Sequence, residues 1–365
     1  MATTPPPNTN SKNTITKLLP LLALAIPFLI LYYLYPDSFQ LTWKGRTFYI
    51  FFLWLILMEL IMNWDKLPTT KIKQLKSPRT WAFIAAIILP ILYVIATNYW
   101  GLNTAILHFG VNNISKYINI APDQYANIIQ FLPLSTEYLV FTVLFVAIIS
   151  AYYGLDQLGN FSLSTLFLGI IGIVYTIDNL YPFGRFTPFQ MIVPTTTMLA
   201  ASVLNMMGFG TTISYIQNNP QMGSLTTLSV QALHGGSATY NIAWPCSGVE
   251  SLLLYSVVIL LFLKNTTIPI KQRIAYFAVG AGVTYFINAL RIATIFIIAI
   301  NGGDVGTFHN FTGQFYSISW IVAYPLMIMA SRTLWGRMSL VGTGPKQTAD
   351  LTSSRRNSTE INVSN

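Results

Sequence analysis

Trp244-Pro245-Cys246-Ser247-Gly248-Val249-Glu250 holds the only cysteine of the chain, just ahead of the apolar run Leu252 to Leu263. A thiol in that position could act as a nucleophile. Ser247 followed three residues later by Glu250 has the form of a capping box, which predicts a helix starting here with Pro245 in the incoming chain. A helix start offers free backbone N–H groups and the positive end of the helix dipole, and both favour thiolate over thiol and lower the cysteine pKa. Cysteine also serves as a small buried hydrophobe, and the residue alone does not decide between the two roles.

Two further groups could work with such a thiol. Arg291, in Asn288-Ala289-Leu290-Arg291-Ile292-Ala293-Thr294, lies inside an otherwise uncharged apolar run. A guanidinium there costs at least ~2.5 kcal/mol at mid-membrane and calls for a partner. At ~1.5 Å per residue it sits about 14 Å before the end of its run near Ile300. An ion pair with Glu250 or Asp178 would account for it structurally. His309, in Thr307-Phe308-His309-Asn310-Phe311-Thr312-Gly313, comes just before the final apolar run. A neutral imidazole there could take the proton of the thiol, which is the logic of cysteine acyl transfer; a histidine at a helix entrance also serves as a cap or an interfacial residue.

The elements that must position these groups are membrane spans. The chain has 365 residues, 53% hydrophobic and 8% charged, where an ordinary soluble domain carries roughly 25% charged residues. Several apolar runs approach or exceed the ~18 to 20 residues that cross a bilayer, and they are spread along the whole sequence. The fold class is therefore all-α, a polytopic membrane bundle of about eight transmembrane helices. A single cysteine leaves no intramolecular disulfide. The net charge of +9 lies in short connections and the tail, where it signals topology; no nucleic-acid, cofactor or metal motif is present.

Residues 1–16 read as a disordered cytoplasmic lead, 17–334 as the transmembrane domain, and 335–365 as a basic, polar cytoplasmic tail, disordered like the lead. The predicted spans are 17–35, kinked by Pro20 and Pro27, then 48–63, 81–97, 138–153, 163–177, 252–263, 274–300 and 313–330. Lys66, Lys71, Lys73, Lys76 and Arg79 place the second connection inside, as do Lys264, Lys271 and Arg273 for the one after the cysteine helix. The long connection from 97 to about 135 then lies outside and gives no spanning signal. Parity requires the cysteine helix to begin outside, so 189–207, with Pro194 and Thr195 to Thr197, is predicted to lie at the outer surface as an amphipathic or re-entrant helix. The polar, Gly-rich segment 208–243 follows it there. Cys246, Arg291 and His309 thus come to one outer face of a plasma-membrane protein.

Cys-Ser-Gly, then Asn-x-x-Arg on the next helix, then Phe-His before the last, resembles the exosortase and archaeosortase family in order and spacing, over roughly 163–330. The resemblance implies a multipass cysteine protease and transpeptidase acting on exported proteins that carry a C-terminal sorting signal: a short motif, a membrane helix and a basic end. Cys246 would be the nucleophile, Arg291 the stabiliser of anionic intermediates, and His309 the proton-transfer residue. The partners implied are those exported proteins and an amine acceptor, on a lipid, in the surrounding membrane lipid; no nucleic acid is implied. Arginine holds the third position in some archaeal relatives, so His309 looks like the bacterial pattern or another archaeal branch, and we read a thaumarchaeal-type archaeosortase. Val249-Glu250 departs from the apolar residue and arginine that many relatives carry there, and Glu250 either alters signal recognition or caps the helix. The rival class is a transporter or channel using Arg291 and Glu59, although no internal repeat of the transporter kind is evident; a scaffold without chemistry is a third.

Overall fold

The computed structural model describes residues 9–41, 44–68, 78–114, 116, 129–181, 187–219, 223–233, 235–264, 266–309 and 313–342. Lys71, Lys73 and Lys76 of the second connection, Asn310 to Thr312 beside His309, and the tail beyond 342 lie outside them.

All eight apolar runs are helices. In chain order they are α1 (Thr9–Leu34), α2 (Thr47–Met62), α3 (Pro78–Tyr99), α5 (Leu132–Tyr152), α6 (Ser162–Leu180), α8 (Val249–Lys264), α9 (Ile270–Ile300) and α10 (Gly313–Gly342), with α4 (Leu102–Phe109) and α7 (Ile192–Met206) between them. Helix α1 thus begins inside the segment expected to be an unstructured lead, and α10 reaches into the expected tail. Four stretches are by themselves long and apolar enough to cross a membrane: 17–34, 129–152, 155–180 and 270–300. The pair 83–99 and 102–114, bent by 73°, makes a fifth if it is one broken span. Helix α4 falls in the connection that gave no spanning signal. Its bend follows Gly101, whose φ of 73° turns the chain out of α3.

The protein is a helical membrane protein, and it also contains a small sheet that the all-α expectation lacked. β1 (Gly210–Asn219), β2 (Gly223–Gln231) and β3 (Ser237–Ile242) form an antiparallel sheet in the order β1-β2-β3. These strands are rich in Thr, Ser, Tyr and Ile, residues that suit a pleated, half-buried surface. Leu228 and Val230 of the central strand are buried with Ile242 of β3, in one core with Leu204 of α7 and Phe296 of α9. The sheet therefore stands on the far ends of α7 and α9.

Ion pairs divide the bundle into two ends. At one end Arg46 holds Glu137 through two bonds of 2.8 and 2.7 Å, Tyr49 donates to the same carboxylate at 3.0 Å, and Lys44 pairs with Asp178 at 2.7 Å. At the other, Lys264 pairs with Glu59 at 2.9 Å and Lys17 donates to the Trp64 carbonyl at 2.6 Å. Glu59 is fully buried there, accepting from the Leu163 and Ser164 backbone N–H groups and from the Ser164 hydroxyl. It is the cap for the first turn of α6, whose free N–H groups favour an anion.

Candidate active site

Cys246 sits in a tight turn, Trp244–Ser247, between β3 and α8. Pro245 in the turn fixes φ, and the Cys246 N–H returns to the Ala243 carbonyl at 3.0 Å. Trp244 is completely buried against Phe189, ring centroids 4.8 Å apart, and so roots the turn in the core. The expected capping box is not what shapes this start. The Ser247 hydroxyl donates to the Trp244 carbonyl at 2.6 Å, and Gly248 adopts φ +95°, a left-handed conformation that swings the chain into α8. Glu250 does lie in the first turn of α8.

Two neighbouring helices clamp the turn. Asn288 of α9, buried, donates its Nδ2 to the Cys246 carbonyl at 3.0 Å. Thr196 of α7 lies 3.3 Å from the Ser247 carbonyl and 2.6 Å from the Tyr285 hydroxyl, which in turn reaches the Ile192 carbonyl at 3.2 Å. Helix α7 is thus a 15-residue element that starts beside the middle of α9 and ends at the sheet.

Arg291 lies one turn along α9 from Asn288 on the same face, at the i, i+3 spacing that stacks side chains. Its Nη2 donates to the backbone carbonyl of His309 at 2.7 Å. Its Nε is buried and has no partner among the described residues. Asp178, considered above as a structural partner for Arg291, is instead taken by Lys44. His309 is exposed, just after a short helix (Val305–Thr307) capped by Asp304, whose carboxylate accepts from the Thr307 N–H at 3.0 Å.

The electrostatics of the thiol differ from the helix-start expectation. Burial pushes the Cys246 pKa up, the Arg291 guanidinium pulls it back down, and the Glu250 carboxylate adds to the rise. Cys246 is nevertheless exposed at its surface. The two facts agree physically, because contact with solvent on one flank does not restore the hydration lost to the crowded shell around it. The surroundings of Cys246 thus favour thiol over thiolate. The three sequence-predicted residues share one end of the bundle: Arg291 binds the His309 segment directly and its charge acts on the Cys246 thiol. Sequence reasoning missed the positioning roles of Asn288, Thr196 and Tyr285. For Asn288 a signal existed in its three-residue spacing from Arg291. Glu59, which the rival transporter reading put to use with Arg291, caps α6 beside Lys264 at the other end of the bundle.

Fold and site together define a helical membrane protein with a thiol and a guanidinium converging beneath a small sheet. A family model described as transmembrane exosortase (Exosortase_EpsH) matches residues 42–327. The chain belongs to that family, which makes it a membrane-bound peptidase or transpeptidase of protein sorting. No curated protein and no solved structure matches it.

Proposed function

We propose that the chain is a cysteine transpeptidase that cleaves a C-terminal sorting signal of exported proteins and passes the upstream part to an amine acceptor on a lipid. One observation carries this: Asn288 and Arg291, one turn apart on α9, hold respectively the Cys246 carbonyl and the His309 carbonyl, so a single helix face ties nucleophile, guanidinium and imidazole segment together. His309 takes the thiol proton as sulfur attacks the scissile carbonyl. The oxyanion that forms is stabilised by Arg291, whose buried Nε has a donor to spare. Collapse expels the amine of the C-terminal helix with a proton from His309 and leaves a thioester. The acceptor amine then attacks the thioester, loses its proton to His309, and frees the thiol; water in its place gives proteolysis alone.

The site belongs at the extracytoplasmic face of an eight-span plasma-membrane protein in this reading. Helix α9 has 31 residues, about 46 Å at ~1.5 Å per residue, against a hydrocarbon core of about 30 Å. With Arg273 at the inner boundary, about 20 residues of helix cover the core and put the outer boundary near Ala293. Asn288 and Arg291 then flank that boundary from within, and the sheet stands in water beyond it. Cations at the Glu59 end, Lys17, Lys66, Lys264, Lys271, Arg273 and Arg332, support an inner assignment. The placement among thaumarchaeal-type archaeosortases rests on the residue pattern alone.

The test is co-expression with exported proteins ending in a short motif, a membrane helix and a basic end. Wild type should remove the helix, and hydroxylamine should release the upstream part from the trapped enzyme as a hydroxamate. Cys246→Ala should do neither. Full processing by Cys246→Ala would end this reading.

A further inference from the structure

β3 runs directly into the cysteine turn and, among the described residues, has no strand on its outer side. The Ala232 N–H bonds to the Gly236 carbonyl at 2.8 Å, and the same register pairs Ala238 with Val230, Tyr240 with Leu228 and Ile242 with Thr226. Antiparallel ladders alternate bonded and non-bonded pairs, so Ser229–Thr239 and Thr227–Asn241 are the non-bonded ones. Their side chains agree, with Thr239 Oγ1 3.0 Å from Ser229 Oγ and Thr227 Oγ1 2.7 Å from Asn241 Oδ1. The N–H and C=O groups of Thr239 and Asn241 therefore point away from β2. Among the described residues they have no backbone partner, and both residues are exposed.

Sheet edges of this kind are ordinarily blunted by charge, proline or a bulge. Ser237 to Ile242 carries no charge and no proline, and its pairing with β2 is unbroken. We propose that this edge receives the extended segment of the substrate just upstream of the scissile bond as a fourth strand, parallel to β3. The proposal rests on the transpeptidase reading above.

Direction and endpoint identify the occupant. β3 starts beside the far end of α9, where Gly236 lies against Ile300, passes Phe296 with the Tyr240 ring 5.3 Å away, and leads to Cys246 at the level of Asn288. It descends toward the membrane. A substrate whose C-terminal helix lies in the bilayer must run the same way, which makes the pairing parallel. Its backbone, held about 4.8 Å from β3, is delivered to the turn that carries the thiol and to the unpartnered Nε of Arg291. Main-chain bonds would supply affinity whatever the sequence, and alternate side chains would supply selectivity.

Proline separates this from a side-chain effect, because at an outward-facing edge position it removes only the donor that the new strand would use. The probe is a library of single-span proteins with about ten randomised residues outside a Leu/Ala helix and a basic end, co-expressed with the full-length enzyme. Thr239→Pro and Asn241→Pro should slow processing of selected members about tenfold or more, the scale of one lost hydrogen bond. Tyr215→Pro, at the equivalent outward position of β1, should stay within about twofold. In Cys246→Ala/Thr239→Cys protein, single cysteines along the substrate segment should form disulfides at every second position, a readout independent of how the proline variants fold. Unchanged rates in folded proline variants, crosslinks without a two-residue period, or crosslinks only between two enzyme copies would overturn the edge pairing and leave the transpeptidase standing. No Cys246-dependent processing of any library member would overturn both.

Discussion

Gly248 and Asn288 should be energetically coupled, and the size of the coupling follows from their contact. Gly248 holds φ +95°, and a Cβ there would come within 3.0 Å of Asn288 Cγ and 3.1 Å of its Cβ and Nδ2. Alanine at 248 carries a left-handed penalty of about 1–2 kcal/mol. It also displaces the Asn288 amide and breaks its 3.0 Å bond to the Cys246 carbonyl, leaving buried groups unsatisfied for a further ~1–3 kcal/mol. In an Asn288→Ala background two of the three close contacts and the bond are already gone, so Gly248→Ala should cost only its conformational penalty. A coupling of about 1–3 kcal/mol results. Thermal unfolding in detergent gives the cycle, and the alkylation rate of Cys246, the sole cysteine, reports the turn itself. Either single change should accelerate alkylation by loosening the crowded shell. An equal cost for Gly248→Ala in both backgrounds would refute the reasoning.

Three more perturbations bear on the site and its support. Iodoacetamide labelling of Cys246 should rise with pH through a midpoint above that of an ordinary thiol, since burial outweighs Arg291; Glu250→Gln should lower that midpoint and Arg291→Ala raise it, and the opposite order would show that the charges act otherwise. Arg291→Lys should stay folded yet process ~10² to 10³-fold more slowly, because an ammonium keeps the charge but not the planar fork that can hold the His309 carbonyl and an oxyanion together; normal rates in both Arg291→Lys and Arg291→Ala would remove the residue from the mechanism. Glu59→Ala should destabilise by about 3–5 kcal/mol, since it strands Lys264 and uncaps α6, and an unchanged melting temperature would contradict that.

The sequence was most legible where the bilayer dictates it. A span must be a continuous apolar run with its backbone bonded internally, so apolar runs could be located from composition. All eight are helices, and four stretches, or five with the bent pair, are long and apolar enough to cross a membrane. The sheet was illegible for the converse reason. Thr211, Thr226, Thr239 and their neighbours read as polar loop, and only packing of Leu228, Val230 and Ile242 onto α7 and α9 makes a stable surface of them. The helix start at Cys246 was legible in place but not in chemistry. Ser247 and Glu250 have the right spacing for a cap, yet Gly248 breaks the geometry that a cap requires.

Charge was legible by sign and not by partner. Arg46 and Glu137 meet across 91 residues, and no local pattern announces it. The location of Arg46 bears on topology. Lys44 and Arg46 lie in the connection between α1 and α2, on the side that the parity argument places outside; the positive-inside rule counts cations whatever their partners, so these two stand against that argument and are outnumbered by the cations at the Glu59 end. Glu137 and Asp178 neutralise both. Arg291 is the contrasting case: its hydrogen bond goes to a carbonyl rather than a carboxylate, and its charge pulls the thiol pKa down while the Glu250 carboxylate pushes it up. A guanidinium held by a carbonyl keeps donors available for an anion that forms during turnover, and in the reading proposed above a tetrahedral oxyanion on the Cys246 sulfur adduct is such an anion.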